Sequence, residues 1–111
     1  MIRRIAVHRV WNVRERSCRD MQVVEVDAAT HCVERVYPLV EEIRNTEWWG
    51  GLMIVSPVLP LLPEAEEDFQ AYTRRMNVPE GEDEAREYAF YVVGFRLADS
   101  CFGAASRMTR V

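Results

Sequence analysis

Any chemistry in this chain has to start from two histidines, His8 and His31, and three cysteines, Cys18, Cys32 and Cys101. A catalytic zinc takes three protein ligands and a structural zinc takes cysteines at close spacing. Here no Cys-x-x-Cys is present, and His31 and Cys32, being neighbours, point apart in a strand, so no metal site is expected. A thiol nucleophile needs a base within reach, which Cys32 with His8, or Cys101 with either histidine, would supply if folding joined them. No nucleophile elbow accompanies them, and a buried cysteine behaves as a small hydrophobe. Glu25, Glu34, Glu41, Glu42 and Glu47 cluster around a hairpin, where acid–base pairs and an ordinary solvated strand face give the same pattern. The glycines at 50, 51, 81, 94 and 103 lack the spacing of a phosphate loop. The expectation is a chain with no catalytic residue and no cofactor.

The aromatic residues carry more weight. Trp11, Tyr37, Trp48, Trp49, Tyr88, Phe90, Tyr91, Phe95 and Phe102 are more than the inner face of one small core requires. In "TEWWGG", two adjacent tryptophans in a strand face opposite ways, so one enters the core and the other meets solvent or a partner. In "EYAFYVVGF", Tyr88, Phe90 and Val92 fall on one side and Ala89, Tyr91, Val93 and Phe95 on the other, and a strand apolar on both faces must be covered on both. Trp48, Trp49, Tyr88, Phe90, Tyr91 and Phe95 are therefore the interface or binding candidates. The leading function is a non-catalytic domain for protein interaction or self-association, with a homodimer as its simplest form. The alternative is a small-molecule binder or small enzyme whose pocket is lined by His8, Trp11 and Trp48 or Trp49.

Composition bounds these readings. The 111 residues make one domain, 1–111, and 49% hydrophobic content with 29% charge is that of a globular chain rather than a disordered one. All fourteen basic residues are arginine. Residues 1–20 carry six of them against Glu15 and Asp20, whereas residues 64–87 carry nine acids against three arginines, so the two segments are electrostatic complements. At a net charge of −4, nucleic-acid binding would rest on Arg3, Arg4, Arg14, Arg16 and Arg19 alone, with no interleaved aromatics, and is not expected. An odd cysteine count and the lack of a signal-like apolar segment after "MIRR" point to a cytoplasmic protein. The run from Leu52 to Leu62 is too short to span a bilayer and holds Pro57 and Pro60.

The elements that must position these residues follow from periodicity. "RIAVHRVWNV" alternates Ile5, Val7, Trp11 and Val13 against Arg4, His8 and Asn12, with Arg9 marking an edge or bend. "RERSCRD" is a polar connection. "MQVVEVD" and "HCVERVYPL" form a hairpin whose turn opens at Asp27, and "VEEIRN" is a helical turn or polar loop. Gly50 and Gly51 permit a bulge before "LMIVSP", a central strand buried on both faces. The prolines of "SPVLPLLP" make an extended connector. In "EAEEDFQAYTRRMN", Ala65, Phe69, Tyr72 and Met76 recur at helical spacing, with acids at the start and Arg74 and Arg75 at the end. Two strands follow, with Gly94 as a bulge in the first. The fold class is α+β, mainly β: a small sandwich or strongly bent, mostly antiparallel sheet with one amphipathic helix.

The progression "RIAVHRVWNV…MQVVEVDAATHCVERVYPL…WWGGLMIVSP", residues 4–57, resembles the N-terminal β-sandwich segment of amidohydrolase-type metal-dependent hydrolases. That family places a His-x-His metal pair directly after the proline. Here Pro57 is followed by "VLPLLPEAEED", so the resemblance implies a sandwich-like sheet and no metal chemistry. The chain is also similar to a group of short, uncharacterised bacterial proteins sharing "YPL…E…TE" before two aromatics and glycine, here Tyr37 to Leu39 and Thr46 to Gly50, a likeness that implies no activity.

Overall fold

The computed structural model describes residues 1–40, 45–76 and 86–111. Its elements are β1 (Ile2–Asn12), β2 (Ser17–Asp27), β3 (Val33–Pro38), β4 (Thr46–Trp48), β5 (Leu52–Ser56), α1 (Phe69–Arg75), β6 (Tyr88–Arg96) and β7 (Cys101–Arg110). The strands form one sheet in the order β3-β2-β1-β5-β6-β7, with β4 beside β1. β1 runs parallel to β4 and β5, and the other pairings are antiparallel. The fold is α+β and mainly β, as the periodicity predicts. Bending brings the start of β3 back to the start of β6, where Cys32 bridges Tyr88 and the Val33 N–H donates to the Glu87 carbonyl at 2.7 Å.

Both faces of this sheet are apolar. On one, Trp11, Val13, Leu52, Ile54, Phe90, Val92 and Phe102 pack with Phe69, Tyr72 and Met76 from α1 and its C-cap. On the other, Ile5, Val7, Val10, Val24, Val26, Met53, Val55 and Ala89 pack together inside the curve, with Trp49 and Tyr91 against them. All five residues of β5 are buried, as a strand with two covered faces must be.

Strand β1 departs from simple alternation. Ile5 and Val7 belong to the concave cluster, whereas Trp11 and Val13 belong to the helix-side cluster. The change of face falls at His8 and Arg9: His8 meets Trp48, and Arg9 lies over the Phe69 and Phe95 rings. Arg9 thus marks a bend in a central strand and not an edge. On the parallel side, Ala6 pairs Trp48 but Arg9 pairs Leu52, so three steps along β1 match four on its neighbour. Gly50 and Gly51, at φ +66° and +67°, absorb the extra residue. β4 is consequently a strand of its own, not foreseen from sequence.

Other elements differ in extent. β2 begins at Ser17, the fourth residue of the expected polar connection, because Cys18, Arg19 and Asp20 pair with Trp11, Val10 and Arg9. The helix is shorter than its periodicity suggests. Glu66 sits at φ +62°, and Asp68 caps the helix by accepting from the Gln70 and Ala71 N–H groups, leaving Ala65 and the glutamates before its first turn. Its carbonyl end receives Arg16, which donates to the Thr73 and Met76 oxygens at 3.0 and 3.3 Å. The β2–β3 turn forms as expected, Asp27 Oδ1 accepting from Ala29 and Thr30 N–H. In β6 the pairing shifts at Gly94 (φ +89°), which returns Phe95 to the helix side against Phe69 and Phe102, not to the Tyr91 side. The reading of "VEEIRN" falls mainly on residues 41–44, outside the described residues.

A Cβ at Gly51 would lie 2.9 Å from Tyr91 Oη, in a backbone conformation that L-residues rarely adopt. Gly51→Ala should cost about 1–3 kcal/mol, read as a lowered urea midpoint, and an unchanged midpoint would show that the bulge is not held as described.

Candidate functional site

The face exchange in β1 builds the corner at Trp48. The Gly51 N–H donates to His8 Nδ1 at 2.9 Å, and the Gly51 carbonyl accepts from the Arg9 N–H at 3.0 Å. The Ala6 carbonyl accepts from both Trp49 and Gly50 N–H groups. His8 is thereby fixed as the tautomer whose Nδ1 accepts, and its ring stands edge-on to Trp48 with centroids 4.8 Å apart. Trp48 remains 53% exposed. Its neighbour Trp49 turns toward the concave core, where it meets Tyr91 at 5.1 Å and its carbonyl accepts from Tyr91 Oη at 3.0 Å. Arg3 lies over the Trp49 ring and pairs with Glu47, holding that carboxyl below its ordinary value. Of the tryptophan pair, then, Trp49 is the anchor and Trp48 the surface residue.

The remaining sequence candidates separate. Trp11 is 3% exposed, edge-on to Phe69 and Tyr72 in the helix-side core, so it does not join His8 and Trp48 around one pocket. Phe90 is a core residue and Phe95 packs behind Arg9. Tyr91 serves Trp49. Tyr88 is half-buried, with Arg110 over its ring. The candidate carboxylates also find partners: Glu25, 4% exposed, accepts from Arg4, Arg35 and the Tyr37 hydroxyl in a network that crosses β1, β2 and β3. Glu34 is exposed, and Glu41 and Glu42 lie outside the described residues. Of the arginines considered for a polyanion, Arg3, Arg4 and Arg16 are engaged with Glu47, Glu25 and the helix end.

A further apolar surface lies on the connector between β5 and α1. Ser56 Oγ donates to the Val58 carbonyl at 2.6 Å, Tyr72 Oη donates to the Leu61 carbonyl, and Arg75 donates to the Leu62 carbonyl at 3.1 Å. Burial pushes the Tyr72 hydroxyl pKa well up, keeping it a donor. With its backbone tied down and Pro57 and Pro60 buried, the connector turns Val58, Leu59, Leu61 and Leu62 outward at 46, 69, 44 and 66% exposure. A groove of about 470 Å³ runs beside it, lined by Pro57, Val58, Leu59, Tyr88, Phe90 and Arg110. Sequence reading found a connector here and missed the surface. The signal was present: prolines deny this segment a place in the ladder, so an apolar run cannot bury all its side chains.

Among the described residues, no group of three or more His, Cys, Asp or Glu could hold a metal ion, and the three cysteines are free thiols. Among the described residues, no helix is long and apolar enough to cross a membrane. No family model matches the chain, and neither a curated protein nor a solved structure does so.

His8→Ala removes the acceptor of the Gly51 N–H and should cost about 1–3 kcal/mol; equal urea midpoints for variant and parent would contradict the pinned bulge. The hydrogen bonds from Arg35, then those from Tyr37 and Arg4, hold the Glu25 carboxyl below its ordinary value against the opposing effect of burial. That stability is present above the ordinary carboxylate pKa and is lost as pH falls through the lower folded value. The stability gap between parent and Glu25→Gln should therefore shrink toward pH 3, about where carboxylates protonate, and a constant gap would exclude the linkage.

Proposed function

We propose that this chain is an interaction domain that associates with a second copy of itself through the connector surface. The observation that supports this reading is the tethered connector with four exposed apolar side chains in five residues, Val58 to Leu62. A flexible loop could fold such side chains inward, but here the tyrosine, arginine and serine bonds hold the backbone and commit the apolar groups to solvent. A rigid apolar display loses little conformational entropy on binding, and its burial contributes about 25 cal/mol per Å² before the costs of association. Val58 and Leu59 protrude at the edge of the groove between the connector and β6. Projection and recess side by side on one surface are what a twofold, isologous contact requires.

Trp48 gives the same class of function a second locus, since a half-exposed indole braced by a histidine is a typical interface anchor. The two are separable by mutation. Sedimentation across a concentration range should show a mass that rises toward the dimer, with Leu62→Glu remaining monomeric and folded and Trp48→Glu dimerising like the parent. Loss of association in Trp48→Glu alone would move the contact to the β4 corner, and a strict monomer at every concentration would reject self-association.

A further inference from the structure

The concave face has a polar end that the two proposed contacts do not use. Val7 pairs Gln22, Val10 pairs Arg19, Asn12 pairs Ser17, and Val24 pairs Val36, so Gln22, Arg19, Ser17 and Val36 share the face of Val7 and Val10. Beyond the apolar cluster these side chains, with Glu15, line a cleft of about 200 Å³. A water molecule's share of the liquid is about 30 Å³, so the space holds several waters and has room for a small molecule.

Its polar groups divide into those already engaged and those open. Asn12 is engaged at both ends: its amide nitrogen donates to Glu87 at 3.3 Å, and its oxygen accepts from the Glu15 N–H at 2.9 Å. Gln22 is 4% exposed, and its nitrogen donates to the Asp20 and Met21 carbonyls at 3.0 and 3.3 Å. Two carbonyl partners fix that end as the nitrogen, which leaves Gln22 Oε1 as an acceptor with no hydrogen bond among the described residues. Gln22 is one of the residues that line the cleft. Arg19 lines the same cleft and makes no ion pair among the described residues, Glu15 included. The Glu15 carboxylate accepts from the Ser17 hydroxyl at 3.5 Å.

A guanidinium, an anionic carboxylate and a buried carboxamide oxygen around two valines make a recognisable set. The cation suits a carboxylate, the two acceptors suit an ammonium, and Val10 and Val36 suit a short aliphatic chain. We propose that this cleft binds a small zwitterion of that kind, a free aliphatic α-amino acid. Arg19 is exposed, so solvent screens its contact and the affinity falls in about the millimolar range. The site lies on the opposite face of the sheet from Trp48 and the connector, so it stands or falls independently of self-association.

The test is an amide NMR titration of the intact chain with L-leucine, isovalerate and 3-methylbutylamine, which share the aliphatic part and differ in charge. L-Leucine should shift Val10, Arg19, Gln22 and Val36 saturably, and both single-charge analogues should bind about tenfold or more weakly. Arg19→Ala, a surface change, should weaken L-leucine by about tenfold with the remaining spectrum unmoved. No saturable shift at tens of millimolar, an analogue that saturates alongside L-leucine, or full binding by Arg19→Ala would each overturn the assignment.

Discussion

A single sheet with apolar side chains on both faces has to be covered on both, and here that constraint is met by letting its central strand change sides. β1 gives Ile5 and Val7 to the concave core and Trp11 and Val13 to the helix-side core. The exchange is possible because Gly50 and Gly51 supply one extra residue beside it and because His8 and Arg9 bind the two backbone groups of Gly51. A buried, unpaired amide and carbonyl at that point would each cost about 1–3 kcal/mol. The histidine is thus a structural acceptor, and its ring also sets the height of Trp48.

Each face is then closed by a different device. The concave face closes on itself as β3 reaches β6, which leaves a polar end near Gln22 and Arg19 where the curve is open. The other face is closed by α1, a helix of seven residues that cannot be stable alone. It is held by Phe69, Tyr72 and Met76 in the core, by the Asp68 cap and by Arg16 at its carbonyl end. Tyr72 connects this packing to the surface, because the ring fills the core while the hydroxyl fastens the connector whose leucines face solvent.

Much of the sheet was legible from residue types. The β2–β3 hairpin, the doubly buried β5, the bulge at Gly94 and the strand β7 follow from alternation, β-branching and glycine placement. The sequence pattern of β1 misled because Ile5, Val7, Trp11 and Val13 share one parity, and a face exchange that keeps the β1–β2 register leaves no mark in one strand alone. The helix was overextended because Ala65 continues the period by coincidence while the Asp68 cap decides the start. The aromatics divide between core and surface. Phe90 and Trp11 are buried and Phe95 packs partly buried behind Arg9, whereas Trp48 stays half-exposed and the connector adds four exposed aliphatic side chains.

The central claim is that the Gly51 junction is part of one cooperative core and not a surface turn. Native-state hydrogen exchange reads it directly, through the amides of Gly51 and Arg9. Both should exchange only through global unfolding, with the same denaturant dependence as Ile54 and Val24 in the two clusters. Rapid exchange at Gly51 and Arg9, or different opening energies for the clusters, would contradict the account.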